Sequence, residues 1–437
     1  MKQIAFVSNY YKTEFFFLVS RYLEESGISV FWIVTSKYWL KFLRSKQVRA
    51  DRVLYLPRSI AKNKFRPLVD LNVNEIIYSD RALKYDPDFA EDYLFSIQKP
   101  VYDFLKNNDI SFVFGEMTWG HEILINRLCR SISDIKAKYL KPHTIRIPNG
   151  RFAFFKDEYE EEIYRISESA DFSDSWIYNQ NKPDYFHKNN ELNSLLGRVK
   201  RFPRKFASMF SPAKNDREDP CQRRNKFSFI IGKAKEELYY YLYYLFVNRI
   251  GVSDLPKMFW VYYMHKQPEA SIDVLGRYYE DQFKNIESLA KKLPDECWLL
   301  VKEHPNAVGD RSPFFYRKVS ALNRVVVVDE RVDSHFLIDR SEITATVSGT
   351  VAYEAALMNK KAILFSKVFF SRLEDVVSIK QSSDDKKINI DEFKEMIMIN
   401  SFEGLISDSL SDPSCMDIVN VEKVGAAFEC VIKRPEL

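Results

Sequence analysis

The stretch Trp298-Leu299-Leu300-Val301-Lys302-Glu303-His304-Pro305 decides how the rest of the chain is read. Four apolar residues are followed at once by charge, an imidazole and a proline, the pattern of a buried strand ending in a functional loop. Val325 to Val328, Ile343 to Val347 and Ala362 to Phe365 are further strand-like runs. Asp329-Glu330 and Ser348-Gly349-Thr350 are the polar loops that leave two of them. After Thr350 the period changes, because Val351, Ala355 and Met358 recur at helical spacing, with Ser348 and Thr350 placed to cap the helix start. In an open sheet of this kind, ligands bind where strands end and helices begin. A helix N-terminus there offers unpaired N–H groups and the positive end of a dipole, so the expected ligand is a phosphate.

Working outward, Phe259 to Met264 reads as the preceding strand and leads into His265-Lys266-Gln267-Pro268-Glu269-Ala270-Ser271, with a helix from Tyr278 to Leu293. Near the N-terminus, Gln3 to Val7, Phe15 to Glu25 and Ser29 to Val34 form a β-α-β pattern, the opening of a second doubly wound domain. Ser111 to Phe114 is another buried-strand signal and ends at Gly115-Glu116-Met117-Thr118. His121 to Cys129 is helical, and Thr144 to Ile147 is expected to be a short strand. Phe393 to Met398 and Val421 to Ile432 read as helices. The expected domains are residues 1–166, a basic and aromatic excursion over 167–255, and 256–437, whose last helix crosses back to the first.

The chain has 437 residues, enough for two or three domains at about 150 residues each. With 46% hydrophobic residues, 34 Phe and 25 Tyr it is a folded protein. Only 12 Gly are present, and neither a Walker sequence nor a Gly-x-Gly-x-x-Gly fingerprint occurs, so anions must be held by helix ends and side chains. Five cysteines with no metal-ligand spacing point to a reducing compartment without zinc. No leader sequence and no spanning segment is read, so the expected location is cytoplasmic, or peripheral on the inner face of the membrane.

The net charge of +4 hides a local excess: Arg198 to Lys226 holds ten Lys/Arg against three Asp/Glu. Within it Arg198, Lys200, Arg201, Arg204 and Lys205 alternate with Val199, Phe202 and Phe206. That is either a basic amphipathic element for an anionic membrane surface or an excursion packed on a core. The tyrosine-rich run from Leu238 to Phe246 is expected to be a buried connecting helix. No nucleic-acid partner is expected.

Gln267-Pro268-Glu269-Ala270-Ser271, Lys302-Glu303-His304-Pro305 and Ser348-Gly349-Thr350 with Glu354-Ala355-Ala356, in this order, resemble the bacterial capsule polysaccharide biosynthesis family. The resemblance covers Phe259 to Phe365 well and the first domain loosely. It implies the GT-B fold, two doubly wound Rossmann-like α/β domains facing across a cleft. It also implies transfer of 3-deoxy-manno-octulosonic acid (Kdo), or a related acidic sugar, from a CMP-activated donor to a glycan or lipid-linked acceptor.

On this basis Lys302, His304, Pro305, Asp329, Glu330, Ser348, Gly349, Thr350 and Glu354 are expected around the donor nucleotide. His304 donates to a phosphate oxygen, Ser348 and Thr350 grip the same phosphate, and Gly349 lets the backbone approach closely. Glu354 either accepts from ribose hydroxyls or caps its own helix. No metal and no cofactor are expected. Glu116 and Glu269 are the carboxylates considered, with His304, for catalysis, Glu116 being the candidate to take the acceptor proton. Two rivals stand beside this: a CDP-glycerol or ribitol-phosphate transferase, and a non-catalytic partner in glycan assembly.

Overall fold

The computed structural model describes residues 2–63, 66–165, 215–222, 226–379 and 386–434. Arg198, Lys200, Arg201, Arg204 and Lys205 lie outside the described residues. The chain divides into two compact units. The described residues up to 165, those of 215–222, and those from Lys394 onward make the first unit; 226–379 and 386–393 belong to the second. The described residues from Lys394 onward thus join the first unit, and the tyrosine-rich helix joins the second.

The first unit is built on Gln3–Val7 (β1), Ser29–Val34 (β2), Val53–Tyr55 (β3), Phe112–Phe114 (β4), Lys138–Thr144 (β5) and Arg151–Phe155 (β6). The strands from β1 to β5 are parallel in the order β3-β2-β1-β4-β5, and β6 runs antiparallel to β5. The expected strand at Thr144 to Ile147 is misplaced: the strand is β5, Lys138–Thr144, paired with β4 as far as Leu140 and with β6 from Lys141 to Thr144. Helix Lys12–Glu25 turns Phe15, Phe16, Val19 and Leu23 inward, as its spacing requires. Helix Ile418–Lys433 lies on it, bringing Phe428 within 4.7 Å of Phe114 and 4.9 Å of Phe154, ring centre to centre. Gly425 lets the two helices meet, since a Cβ there would stand inside the Tyr22 ring.

In the second unit Phe259–Tyr263 (β7), Trp298–Lys302 (β8), Val325–Val328 (β9), Ile343–Thr346 (β10), Ala362–Leu364 (β11) and Val376–Ser378 (β12) form a wholly parallel sheet. Its order is β12-β11-β10-β7-β8-β9. Counted from β7, this is 3-2-1-4-5-6, the Rossmann order, and the crossover direction reverses between β7 and β10. A last short strand, Ser401–Glu403 (β13), belongs to the first unit and pairs antiparallel with β6. The fold class is α/β, with two doubly wound units as GT-B requires.

Helix Lys226–Phe246 corrects the expectation of a buried helix. Tyr240 and Tyr243 are buried, whereas Leu238, Leu245 and Phe246 are exposed. The tyrosine hydroxyls decide which face turns inward: Tyr243 and Tyr244 both donate to the buried carboxylate of Glu330, at 3.1 and 2.6 Å. Among the described residues no helix is long and apolar enough to cross a membrane. The basic stretch also shows an acidic end. Asp216 accepts from the Ser36 hydroxyl at 2.9 Å and the Tyr38 amide at 3.3 Å, capping helix Lys37–Ser45.

Candidate functional site

At the reversal point of the second unit, the loops leaving β7, β8 and β10 are tied together by side chains. His265 follows β7, and its backbone N–H and C=O are both held by the buried amide of Gln282, at 2.7 and 3.0 Å. The Ser348 amide donates to His265 Nε2 at 3.2 Å, and Thr346 Oγ1 lies 3.0 Å from the same nitrogen. An accepting Nε2 puts the proton on Nδ1, and burial holds the imidazole down to about 3, so it is neutral. Gly349 is needed beside it for closeness: a Cβ would come 2.8 Å from Thr346 Oγ1 and 3.5 Å from the imidazole.

The loop after β8 is fixed by Glu303, whose side chain is fully buried. Glu303 accepts from Arg311 through both oxygens at 2.8 Å, from the Tyr316 hydroxyl at 2.5 Å and from the His304 amide at 2.8 Å. Arg311 also donates to the His265 carbonyl at 2.6 Å, joining the two loops. Lys266 adds a bond to the Asn306 carbonyl at 3.0 Å. His304 is thereby held with Nδ1 accepting from the Asn306 amide at 3.1 Å. Burial lowers its pKa against the raising effect of Glu269 and Glu303, which leaves a neutral ring with its proton on Nε2. That Nε2–H has no partner among the described residues, so a half-buried hydrogen-bond donor stands at the carboxyl end of β8.

Of the residues expected around a nucleotide, His304, Pro305, Ser348, Gly349, Thr350 and Glu354 come to this edge, and Glu269 is exposed beside it. Glu354 lies 3.1 Å from His335 Nε2, and the Thr350 hydroxyl reaches its other oxygen at 3.4 Å. Three expectations need correction. Lys302 is buried and donates to the Glu330 carbonyl at 2.6 Å, so its ammonium is used inside the unit. Glu330, expected to line the nucleotide, is buried and anchors the tyrosine-rich helix. The Ser348 hydroxyl donates to the Ser271 carbonyl at 2.5 Å, which leaves the half-buried Thr350 hydroxyl, directed to Glu354, as the other hydroxyl of that turn. Asp329 pairs with the exposed Arg331 two residues on, at 2.6 Å.

The corresponding edge of the first unit is charged. Glu116, just after β4, forms an ion pair with Lys12, the first residue of the helix that follows β1. Burial would raise the Glu116 pKa, but Lys12, His143 and Lys141 bring it below the usual carboxylate range. Glu122 is buried and accepts from the amides of Glu116, Thr118 and Trp119 at 3.0, 2.9 and 3.1 Å. Burial and the charge of Glu116 push its pKa up to about 7. Gly115 has no room for a side chain, because Tyr139 crosses directly above it. On β5, buried Lys141 pairs with Glu160 at 2.6 Å, and His143 Nδ1 stands 2.9 Å from the same oxygen of Glu160.

Backbone strain marks this edge too. Tyr10, Met117 and Arg146, following β1, β4 and β5, have φ of +40°, +50° and +67°, and Glu160 has +59°. Of the other non-glycine residues with positive φ, Asp109, Glu296, Arg324 and Asn359 lie in turns leading into strands, and Gln47 follows helix Lys37–Ser45. Sequence reasoning missed His265, Gln282, Arg311, Lys12, Glu122, Lys141, His143 and Glu160 as site residues. A signal was present for His265, which sits after a strand in the same position that His304 occupies after the next. Glu122 is the N3 carboxylate of its own helix and Arg311 pairs eight residues back with Glu303, whereas Lys12 pairs with Glu116 far along the chain. Among the described residues no group of His, Cys, Asp and Glu is assembled to hold a metal ion.

No protein-family model matches the chain, and no curated protein matches it. Among solved structures it is similar to a β-Kdo 2,7 transferase, KpsC of Thermosulfurimonas dismutans, at 14% identity and a TM-score of 0.37, over 75% of this chain and 90% of that one. The β-Kdo 2,4 transferase of the same organism gives 15% identity and a TM-score of 0.36, over 68% and 82%. The UDP-GlcNAc 2-epimerase of Neisseria meningitidis gives 13% identity and a TM-score of 0.24, over 99% and 100%.

Proposed function

We propose that the chain is a glycosyltransferase of bacterial surface polysaccharide assembly, moving Kdo or a related acidic sugar from a CMP donor to a glycan or lipid-linked acceptor. The observation that carries this is His304, a neutral imidazole with an unused Nε2–H at the end of β8, next to the β7–β10 reversal point. A leaving CMP presents phosphate oxygens, and a donor already in place stabilises the negative charge that develops on them. The Gly349-Thr350 turn and Glu354 complete the donor side, with Thr350 toward phosphate and Glu354 toward the ribose hydroxyls. Glu269, exposed beside His304, faces the donor sugar.

On the acceptor side, Glu116 is an ionised carboxylate tied to Lys12. Its lowered pKa suits it to stabilising an oxocarbenium-like transition state and makes it a weak proton acceptor. Incubation of the full chain with CMP-Kdo and a Kdo-bearing acceptor, followed by mass spectrometry, tests the proposal. A sugar increment is expected; a phosphodiester increment from CDP-glycerol would instead select the polyol-phosphate transferase. The basic stretch with Arg198, Lys200, Arg201, Arg204 and Lys205 is assigned to an anionic membrane surface. Replacing these five by Gln should abolish flotation with anionic vesicles, and unchanged flotation would withdraw the assignment.

A further inference from the structure

Resting on the glycosyltransferase reading, we propose that the first unit carries its own binding site for the carboxylate of an acidic sugar, and that residues 215–222 are a displaceable strap whose Asp216 occupies it. The strap lies over the loops that leave β1 and β2, touching Tyr10, Thr35 and Ser36, at the edge where a sheet of this kind takes its ligand. Asp216 accepts from the Ser36 hydroxyl at 2.9 Å, from the Lys37 amide and, at 3.3 Å, from the Tyr38 amide. A carboxylate thus sits on the first N–H groups of helix Lys37–Ser45, at the positive end of its dipole. A ligand carboxylate bound there must compete with it.

A second observation points to a ligand beside this helix end. Trp39, in the first turn of the helix, is 2% exposed, and its indole N–H has no hydrogen-bond partner among the described residues. Leaving a buried donor without an acceptor is costly, so an acceptor from outside gains by meeting it. With Asn9, Tyr10, Ser36, Trp119 and Asp219, Trp39 lines a small cavity under the strap. As the strap lies, the cavity has room for about one water, too little for a sugar ring. Aromatic faces set among hydrogen-bonding groups suit a sugar, whose C–H faces are apolar and whose hydroxyls are polar.

The strap is held by contacts that can be exchanged. The Glu218 carbonyl accepts from the Arg58 amide at 2.6 Å, and the Glu218 carboxylate from the Ser59 amide at 3.0 Å. Arg58 donates to the Gln222 carbonyl at 2.9 Å, and the Tyr10 hydroxyl to the Cys221 carbonyl at 3.2 Å. Pro220 and Cys221 are its buried apolar residues. Hydrogen bonds can be replaced by those of water or ligand at small net cost, and with so little apolar burial the segment opens at low free energy. Asp219 is buried against the Thr35 hydroxyl and the Cys221 amide, so lifting the strap also rehydrates a carboxylate. Helix Lys37–Ser45 keeps a cap when Asp216 leaves, because the Ser36 hydroxyl accepts from the Tyr38 amide at 3.1 Å.

The test uses the full-length protein without donor. The methyl glycoside of Kdo is the carboxylate probe, methyl glucoside the neutral probe and inorganic phosphate the anion probe. Hydrogen exchange is read at the Arg58 and Ser59 amides, both bonded to Glu218, and affinity by calorimetry. The Kdo glycoside should speed that exchange, and the other two probes should not. Asp216→Asn should bind the Kdo glycoside about ten-fold more tightly, the factor given by loss of one charge-assisted hydrogen bond from the competing strap. Trp39→Phe, which keeps a ring and removes the N–H, should bind it about five-fold more weakly, with exchange of the unliganded protein unchanged. Exchange unmoved by the Kdo glycoside, with equal affinity in wild type and Asp216→Asn, makes the segment a fixed part of the unit and overturns the inference. Phosphate acting as strongly as the glycoside overturns the assignment to an acidic sugar. Sugar transfer from CMP-Kdo by a protein whose strap does not move overturns this inference and leaves the glycosyltransferase reading standing. A strap displaced by the glycoside in a protein that transfers nothing overturns that reading and leaves the binding site standing.

Discussion

His265 in the second unit and His143 in the first each stand on the outgoing side of a strand in a doubly wound sheet, and their surroundings give them opposite uses. His265 is buried and neutral, and its Nε2 is occupied by the Ser348 amide, so it works as a bracket between two loops. His143 is one-third exposed, and its Nδ1 stands 2.9 Å from the buried carboxylate of Glu160. The same contrast extends to the two edges. That of the second unit is assembled from neutral rings and backbone amides on one buried ion pair, Glu303–Arg311. That of the first is assembled from coupled charges, Lys12, Glu116, Lys141 and Glu160. An edge of neutral donors suits a ligand that brings its own charge, whereas coupled charges suit a proton that must move.

The largest effect expected is on the buried pair. Arg311→Met leaves the Glu303 carboxylate buried with no cation and should destabilise the second unit by about 3–5 kcal/mol in urea unfolding. An unchanged midpoint would show that the loops do not depend on Glu303. Next comes the ligand: CMP at about a hundred times its Kd should stabilise the protein by roughly 2.7 kcal/mol. His304→Ala should lose that shift while the apo protein melts as before. If the variant still responds to CMP, the donor is held elsewhere and the contrast between a neutral and a charged edge loses its functional meaning.

A third effect follows from His265, whose pKa falls from 6.5 to about 3 on folding. Between those values the unfolded chain binds the proton and the folded chain does not, so stability falls as pH falls, by about 1.4 kcal/mol per unit. His265→Asn should show a shallower loss between pH 6 and 4 than the wild type. Part of the slope should remain, because buried His121 in the first unit is lowered to about 3 as well. Equal slopes would mean that His265 is not buried as a neutral ring. The smallest effect is at Asp329. Arg331 is 73% exposed, so Asp329→Asn should cost under about 1 kcal/mol and leave the CMP response intact. A weakened CMP response would return Asp329 to the nucleotide site.

Much of the second unit was legible because its signals are local. Apolar runs of four or five residues became β8, β9 and β10 within a residue or two of their expected ends, and the helix after Thr350 began at Val351, although neither Ser348 nor Thr350 caps it with its side chain. The C-terminal edge of the sheet, and the loops on it, followed from that alone. In the first unit β1, β2 and β4 were equally clear. β6 and β13 were not read, since an antiparallel addition to a parallel sheet depends on which strand edge is open and not on any local period.

What the amino-acid sequence by itself determined is the order of strands and helices, and the polar motifs that leave the strands. These follow from periodicity and capping, which act over a few neighbouring residues. Only the tertiary structure decided which motif side chains remain available to a ligand. Lys302 turns to the Glu330 carbonyl, Glu330 to Tyr243 and Tyr244, and Ser348 to the Ser271 carbonyl, all through partners many residues away. Glu160 and His143 meet for the same reason, the antiparallel return of β6 along β5. A buried polar group must be paired, and the partner that satisfies it is chosen by proximity in the folded sheet, which local sequence does not encode.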